Sequence, residues 1–396
     1  MGPGIDTMLQ ATPTVMAMAS CCNAENSEAC IYHYQDASFL FPYLLFNWLN
    51  NVPICSAGLA PAVANHLAIK GERKFLGVWI NAVPDLIVGD VKTWAEKASV
   101  DSVKIPGYWS HRNPKAGIVK GSAAVPGEKV ILSFHGGAYT MFSAHPEDPT
   151  YNILKGILAM APDSVHRAFA PEYRLAGGHE DAALHCFPTQ LIDAIAGYTY
   201  LVKDVGFSPR DIIIEGDSAG GNLAQALTRY LVEYGNDLPT PLLPPGGLLL
   251  ISPWADLTIN KWNFSEPPTA EASVRFQSDW VDPDWGDDSS IVFAGVHGRG
   301  LWADNRYVSP ASKHINPSFE GFPRTLITAG GGELMLDQIR VLRDRMFQQL
   351  GEVKGEEGKV SYLETPDAWH DHISFPQYEP ERSEALRVIT TWIASL

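Results

Sequence analysis

No lysine or arginine occurs among the first 69 residues of this 396-residue chain. That absence removes the basic n-region of a secretory signal and the Arg-rich face of a mitochondrial transit peptide, so a cytoplasmic location is expected. A long hydrophobic run is also missing. The most apolar stretch, Phe39-Leu40-Phe41-Pro42-Tyr43-Leu44-Leu45-Phe46-Asn47-Trp48-Leu49, is too short to cross a bilayer and is interrupted by Pro42. It reads as a segment that covers an apolar pocket or packs on the core, with interfacial anchoring as the alternative. Basic residues are scarce throughout, 29 against 45 acidic ones, for a formal charge of −16. Nucleic acid and anionic membrane are therefore excluded as expected partners, because neutralising phosphates needs clustered cations. Cysteine is sparse too, at positions 21, 22, 30, 55 and 186. The number is odd and no histidine stands at metal-ligand spacing, so reduced thiols and no metal site are expected. A lone sequon, Asn263-Phe264-Ser265, says little about secretion without a signal peptide.

What is present is an alternation of short β-branched runs with longer amphipathic stretches. Strand-like runs are Val130–Phe134, Arg167–Ala170, Ile212–Glu215, Gly247–Ile251, Thr325–Ala329 and Val360–Leu363. Helix-like stretches fall near 150–160, 188–205, 220–234, 337–350 and 383–395. Strands alternating with helices of this length predict a mostly parallel sheet covered on both faces. Residues 1–75 read as a leader and cap segment, 76–257 as the first part of the core, 258–305 as an insertion and 306–396 as the second part. The insertion places tryptophan and phenylalanine beside acidic and Pro/Gly-rich runs, including Asp279-Trp280-Val281-Asp282-Pro283-Asp284-Trp285. A long break of this kind between core strands is a lid or a variable surface loop, and the aromatics favour a lid.

Chemistry concentrates where strands end. Ile212–Glu215 runs into Gly216-Asp217-Ser218-Ala219-Gly220, with Leu223, Leu227, Tyr230 and Leu231 at helical spacing behind. A strand, a Gly-x-Ser-x-Gly turn and a helix are the context of a nucleophile elbow centred on Ser218. A serine needs a base, and the base an orienting acid, in the order Ser, acid, His for an elbow-type fold. Strand 325–329 opens into Gly330-Gly331-Gly332-Glu333, with Asp337 four residues on. Glu333 is favoured as the acid, since Asp337 stands where helix capping explains it as well. Strand 360–363 opens into Trp369-His370-Asp371-His372, so His370 and His372 are both candidate bases. Phe134-His135-Gly136-Gly137-Ala138-Tyr139 follows the strongest early strand. Backbone N–H groups in such a loop can stabilise a developing oxyanion. The donors expected are Gly137 and Ala138, with Gly136 shaping the loop and Ala219 contributing from behind the nucleophile. Tyr139, Trp254 and Trp369 are candidate pocket residues, with core packing as the alternative.

Five motifs in order, His135-Gly136-Gly137-Ala138-Tyr139, Glu172-Tyr173-Arg174-Leu175, Gly216-Asp217-Ser218-Ala219-Gly220-Gly221, Ser252-Pro253-Trp254-Ala255-Asp256-Leu257 and Ser309-Pro310, resemble the hormone-sensitive-lipase-like group of α/β-hydrolases. The resemblance covers roughly residues 126–396. It implies an α/β-hydrolase fold and hydrolysis of a small-molecule carboxylic ester through an acyl-enzyme, without cofactor. Its register puts Glu333 at the catalytic acid and favours His370 over His372. This sequence departs from the group in two places: Ala138 stands at the third glycine, and Glu333 replaces an aspartate. Lactone or elimination chemistry on a specialised metabolite is the alternative reaction. A ligand receptor on a disabled scaffold would lack a triad member, and none is missing. The aromatic, acidic insertion points to a bulky, largely neutral ester.

Overall fold

In the central strands both alternating sets of side chains are apolar, and such strands need cover on both faces. The computed structural model describes residues 65–71, 75–113, 120–177, 184–258, 275, 279–281, 283–355 and 357–396. The apolar stretch 39–49, the four N-terminal cysteines and Asn263 lie outside them, while Cys186 is a buried free thiol.

Eight strands form one sheet: β1 (Leu76–Ile80), β2 (Ile105–His111), β3 (Lys129–Phe134), β4 (Val165–Pro171), β5 (Ile212–Asp217), β6 (Gly247–Ile251), β7 (Arg324–Gly330) and β8 (Val360–Thr365). Their order is β1-β2-β4-β3-β5-β6-β7-β8. The first two are antiparallel to their neighbours, and β4 through β8 run parallel. Helices among the described residues are α1 (Gly89–Ala98), α2 (Tyr151–Met160), α3 (Thr189–Thr199), α4 (Ala219–Tyr234), α5 (Pro283–Ala294), α6 (Gly300–Asp304), α7 (Leu336–Leu350) and α8 (Glu381–Ala394).

The register sorts the core into two layers. Ile131, Ile213, Leu249 and Leu326 face α2 and α8, meeting Ile153, Ile157, Leu386, Ile389 and Ile393. Val130, Leu132, Ile212, Ile214, Leu248, Leu250 and Ile327 face the other way, toward Leu191 and Ile195 of α3, Leu223 and Leu227 of α4, and Ile339 and Leu342 of α7. Each such side chain, fully buried, stabilises by about 1.5–3 kcal/mol. The parallel strands thus point their carboxyl ends at one edge, where ligands bind in open α/β sheets.

The six core strands and five helices expected from the sequence are all present: β6 has the expected ends, the other strands run slightly longer, α2, α4, α7 and α8 agree within two residues at each end, and α3 ends at Thr199 with Tyr200–Val205 continuing as a π-helical segment. Four elements were not expected: α1, β2, α5 and α6. Ala98-Ser99-Val100 read as strand or loop, but Ala98 closes α1 and Ser99 caps it in the left-handed region (φ 53°). Strand β2 carries Pro106 and Gly107, which hide its extended character from a pattern search. The insertion also holds α5 and α6, where the sequence read as irregular.

One joint fixes the site. Where β5 turns into α4, a Cβ on Gly220 would overlap the carbonyl oxygen of Phe134, and one on Gly216 would overlap the carbonyl of Gly220. Strands β3 and β5 and the start of α4 therefore meet backbone to backbone, which a side chain would prevent. Replacing Gly220 by alanine is expected to destabilise the fold by about 1–3 kcal/mol, the scale of overpacking. Urea unfolding followed by tryptophan fluorescence measures it, and an unchanged midpoint would contradict the joint as described.

Candidate active site

Ser218 sits at the tip of this joint with φ 53° and ψ −118°. That backbone region is strained for a serine and is held by contacts on both sides. Its N–H donates to Ile251 O (2.9 Å), and its carbonyl accepts from Asn222 N (3.1 Å) and Trp254 N (2.9 Å). Asn222 in turn donates to the carbonyls of Trp254 and Val308 and accepts the Tyr139 hydroxyl at 2.8 Å. Among the described residues the Ser218 hydroxyl has no hydrogen-bond partner. Tyr139 and Trp254 are both in the main core cluster, and Tyr139 stacks on Phe293 at 4.1 Å. They support the elbow from within. Trp369 packs against Phe375 and Tyr378.

The glycine loop lies across from the serine. The Gly136 N–H donates to Asp217 Oδ2 (3.0 Å), so it is committed to holding the loop against the elbow. The next residues turn through positive φ: Gly137 at 99°, Ala138 at 48° and Tyr139 at 65°. The N–H groups of Gly137, Ala138 and Ala219 have no acceptor among the described residues, and Ala219 opens α4, whose first N–H groups are free by construction. The Tyr173 hydroxyl donates to His135 O (2.7 Å) and braces the loop from behind. Arg174, in the second of the five motifs, forms a buried pair with Asp193 at 2.8 Å.

The two later loops converge on the same edge. Glu333 follows β7 and is fully buried; its Oε2 lies 3.4 Å from His370 Nδ1. This is an ion-pair distance rather than a formed hydrogen bond, a spacing common in ligand-free catalytic pairs. Asp337 is elsewhere: it opens α7, is 63% exposed and pairs with Arg275 at 2.6 Å. His372 does not face the way His370 does, because Asp371 takes the left-handed region (φ 51°) and a 3₁₀ turn begins at His372. Its ring is buried near Tyr378, and burial pushes its pKa down to about 4.

Asp371 was not singled out from the sequence. Its N–H donates to Ser252 Oγ (3.3 Å), and its Oδ2 lies 3.1 Å from His370 Nε2. His370 therefore sits between two carboxylates, Glu333 on Nδ1 and Asp371 on Nε2. Burial disfavours its charged form, but Asp371 and Glu333 outweigh burial and raise its pKa well above the usual value. Burial raises the Glu333 carboxyl, opposed by the His370 ring. Burial, Asp371 and Glu215 together push Asp217 well up. Asp279, also unremarked from the sequence except as part of an aromatic run, is buried and accepts the N–H groups of His370 (3.1 Å) and Leu334 (2.7 Å). No cluster of three or more His, Cys, Asp or Glu with metal-binding geometry occurs among the described residues.

The family model for the alpha/beta hydrolase fold matches residues 131–373. An esterase of Acinetobacter venetianus is 27% identical over 271 residues, covering 68% of this chain and 75% of that protein. Esterase LipU of Mycobacterium tuberculosis is 29% identical over 284 residues, covering 71% and 84%. Among solved structures, a hormone-sensitive lipase from a metagenome library superimposes with a TM-score of 0.54 at 26% identity, covering 73% of this chain and 82% of that one.

The charge arrangement around His370 has a direct readout. By ring NMR, His370 is expected to titrate above the ordinary histidine value of about 6.5, whereas His372 stays neutral down to about pH 4. Asp371→Asn removes one close counter-charge and should lower the His370 midpoint by about one to three pH units. An unmoved midpoint would show that Asp371 does not hold the ring.

Proposed function

Because the chain belongs to the α/β-hydrolase fold family, in its hormone-sensitive-lipase-like group, we propose that Ser218, His370 and Glu333 hydrolyse carboxylic esters through an acyl-enzyme. The observation that carries this reading is the convergence of three strand ends. Ser218 follows β5 on a strained turn with its hydroxyl unengaged, and the loops after β7 and β8 bring a buried carboxylate to within 3.4 Å of a buried imidazole.

The chemistry follows from the atoms. Ser218 Oγ attacks the ester carbonyl as its proton passes to His370 Nε2, while Glu333 holds Nδ1 and stabilises the imidazolium. The oxyanion takes the N–H groups of Gly137, Ala138 and Ala219, which cost no reorganisation because they are already unpaired. The imidazolium protonates the departing alkoxide. Water, deprotonated at Nε2, then attacks the acyl carbonyl and releases the acid and the serine. In the ligand-free state Nε2 faces Asp371 rather than the serine, so the base becomes available when Asp371 lets go of it. The acid limb of kcat/KM should therefore lie on the alkaline side of an ordinary histidine, activity rising as pH passes through the raised His370 value.

The substrate class follows from charge. Glu215, Asp217, Asp279, Glu333 and Asp371 lie at or behind the site, and among the described residues none pairs with a lysine or arginine. No lysine or arginine is paired into this set to receive an anionic acyl group, so neutral esters are the expected substrates.

Ser218→Ala should lower kcat by about a millionfold on short nitrophenyl esters, and an organophosphonate should label Ser218 in the wild type. Retained activity in that variant would end the reading. Glu333→Gln should lose about 10⁴-fold, the scale for removing a triad acid, whereas Asp337→Asn, at an exposed site, should stay within about twofold. The reverse order would make Asp337 the acid. In a panel of matched esters, a preference for a succinate monoester over the neutral butyrate would refute the substrate class.

A further inference from the structure

We propose that Asp279 is a positioning residue, which with Trp280 holds the loops carrying His370 and Glu333 in mutual register. The proposal rests on the triad assignment above and adds to it a residue from the segment between β6 and β7.

Asp279 is 7% exposed, and its two carboxylate oxygens accept three backbone N–H groups. Oδ1 takes those of His370 (3.1 Å) and Trp280 (2.8 Å), and Oδ2 takes that of Leu334 (2.7 Å), the residue after Glu333. The Trp280 indole N–H donates to His370 O at 2.8 Å, and its ring centre lies 5.8 Å from the imidazole. Both backbone polar groups of His370 are therefore held by residues 279 and 280. The segment is anchored in turn, since Asp279 N–H donates to Arg275 O (3.0 Å) and Arg275 pairs with Asp337 at the head of α7.

An ionised carboxylate suits all three donors best: burial raises the Asp279 carboxyl, and the His370 ring and these three N–H groups oppose that shift. It offers about four lone-pair sites on two oxygens and no donor of its own, and charge-assisted bonds to N–H groups are the strong ones. The acid and base loops also touch through Gly331 N–H to Thr365 O and Gly332 N–H to Ala368 O, both 2.8 Å. Those bonds end before Glu333, so the carboxylate is the tie that spans the acid and base positions themselves. The insertion read from the sequence as a lid thus acts on catalysis directly: a change in residues 279–280 alters kcat, not substrate affinity alone.

The test compares wild type with Asp279→Ala, Asp279→Asn and Trp280→Phe in the full-length chain, using a neutral nitrophenyl ester. Functional sites are counted by organophosphonate titration, so that kcat refers to competent molecules only. Loss of the clamp misplaces the base, and displacements near 1 Å cost about a hundredfold. Asp279→Ala should fall on that scale, with KM within about threefold of wild type. Asp279→Asn keeps Oδ1 for His370 and Trp280 but turns an amide toward Leu334, so its loss should lie between alanine and wild type; Trp280→Phe should lose least. If the alanine variant does not fold, the asparagine variant decides by the same measure. A kcat per titrated site within about threefold of wild type, or a loss carried wholly by KM, overturns the proposal. Failure of the triad assignment would look different, with Ser218 unlabelled in the wild type.

Discussion

Everything at the candidate site depends on a serine backbone held at a positive φ. Such a conformation costs about 1–3 kcal/mol and persists only where its surroundings over-determine it. Here they do. Gly216 and Gly220 let β5, α4 and the carbonyls of Phe134 and His135 touch, while Ile251, Trp254 and Asn222 occupy the Ser218 amide and carbonyl. The same closeness sets the glycine loop. Asp217, one residue before the serine, holds the Gly136 N–H, so the turn that carries the serine also fixes the loop that bears the free amides of Gly137 and Ala138.

A second constraint is electrostatic. Behind the elbow, burial raises Glu215 and Glu172 to about 7 and Asp148 to about 6, so the two glutamates keep a substantial share of their proton at neutral pH. The charge that does settle in this interior is the imidazolium of His370, stabilised by a carboxylate at each ring nitrogen. Such a pairing favours an orderly resting state and opposes the first chemical step, which needs Nε2 free. The balance between those demands is set by Asp371, whose left-handed backbone (φ 51°) turns its side chain back onto the histidine before it.

Much of this was legible in the sequence because it is written in local patterns. The parallel strands announced themselves as β-branched runs, and Ser218, His370 and the glycine loop each sit immediately after one. The open choice between His370 and His372 could not be closed by spacing. An extended loop would have aimed both the same way, and only the left-handed Asp371 between them separates their directions. Glu333 and Asp337 were distinguishable only by what else was near, an imidazole for one and Arg275 for the other. Strand β2 was missed because Pro106 and Gly107 dilute its pattern, whereas α1 does carry a helical stripe, Val91, Ala95 and Ala98, but one made mostly of small alanines. Asp279 was visible as a letter in an acidic, aromatic run. Nothing local shows that it turns inward to meet amides 55 and 91 residues away.

That long reach is how a segment outside the core strands can bear on the proposed triad. The core presents Ser218, Glu333 and His370, the proposed nucleophile, acid and base, after three strand ends, each already roughly placed by parallel register. Register alone leaves the loops after β7 and β8 free to shift by fractions of an ångström, and the proposed proton transfer from Ser218 to His370 is sensitive to displacements of that kind. A carboxylate that bonds both loops at once removes the freedom without adding a group to the reaction.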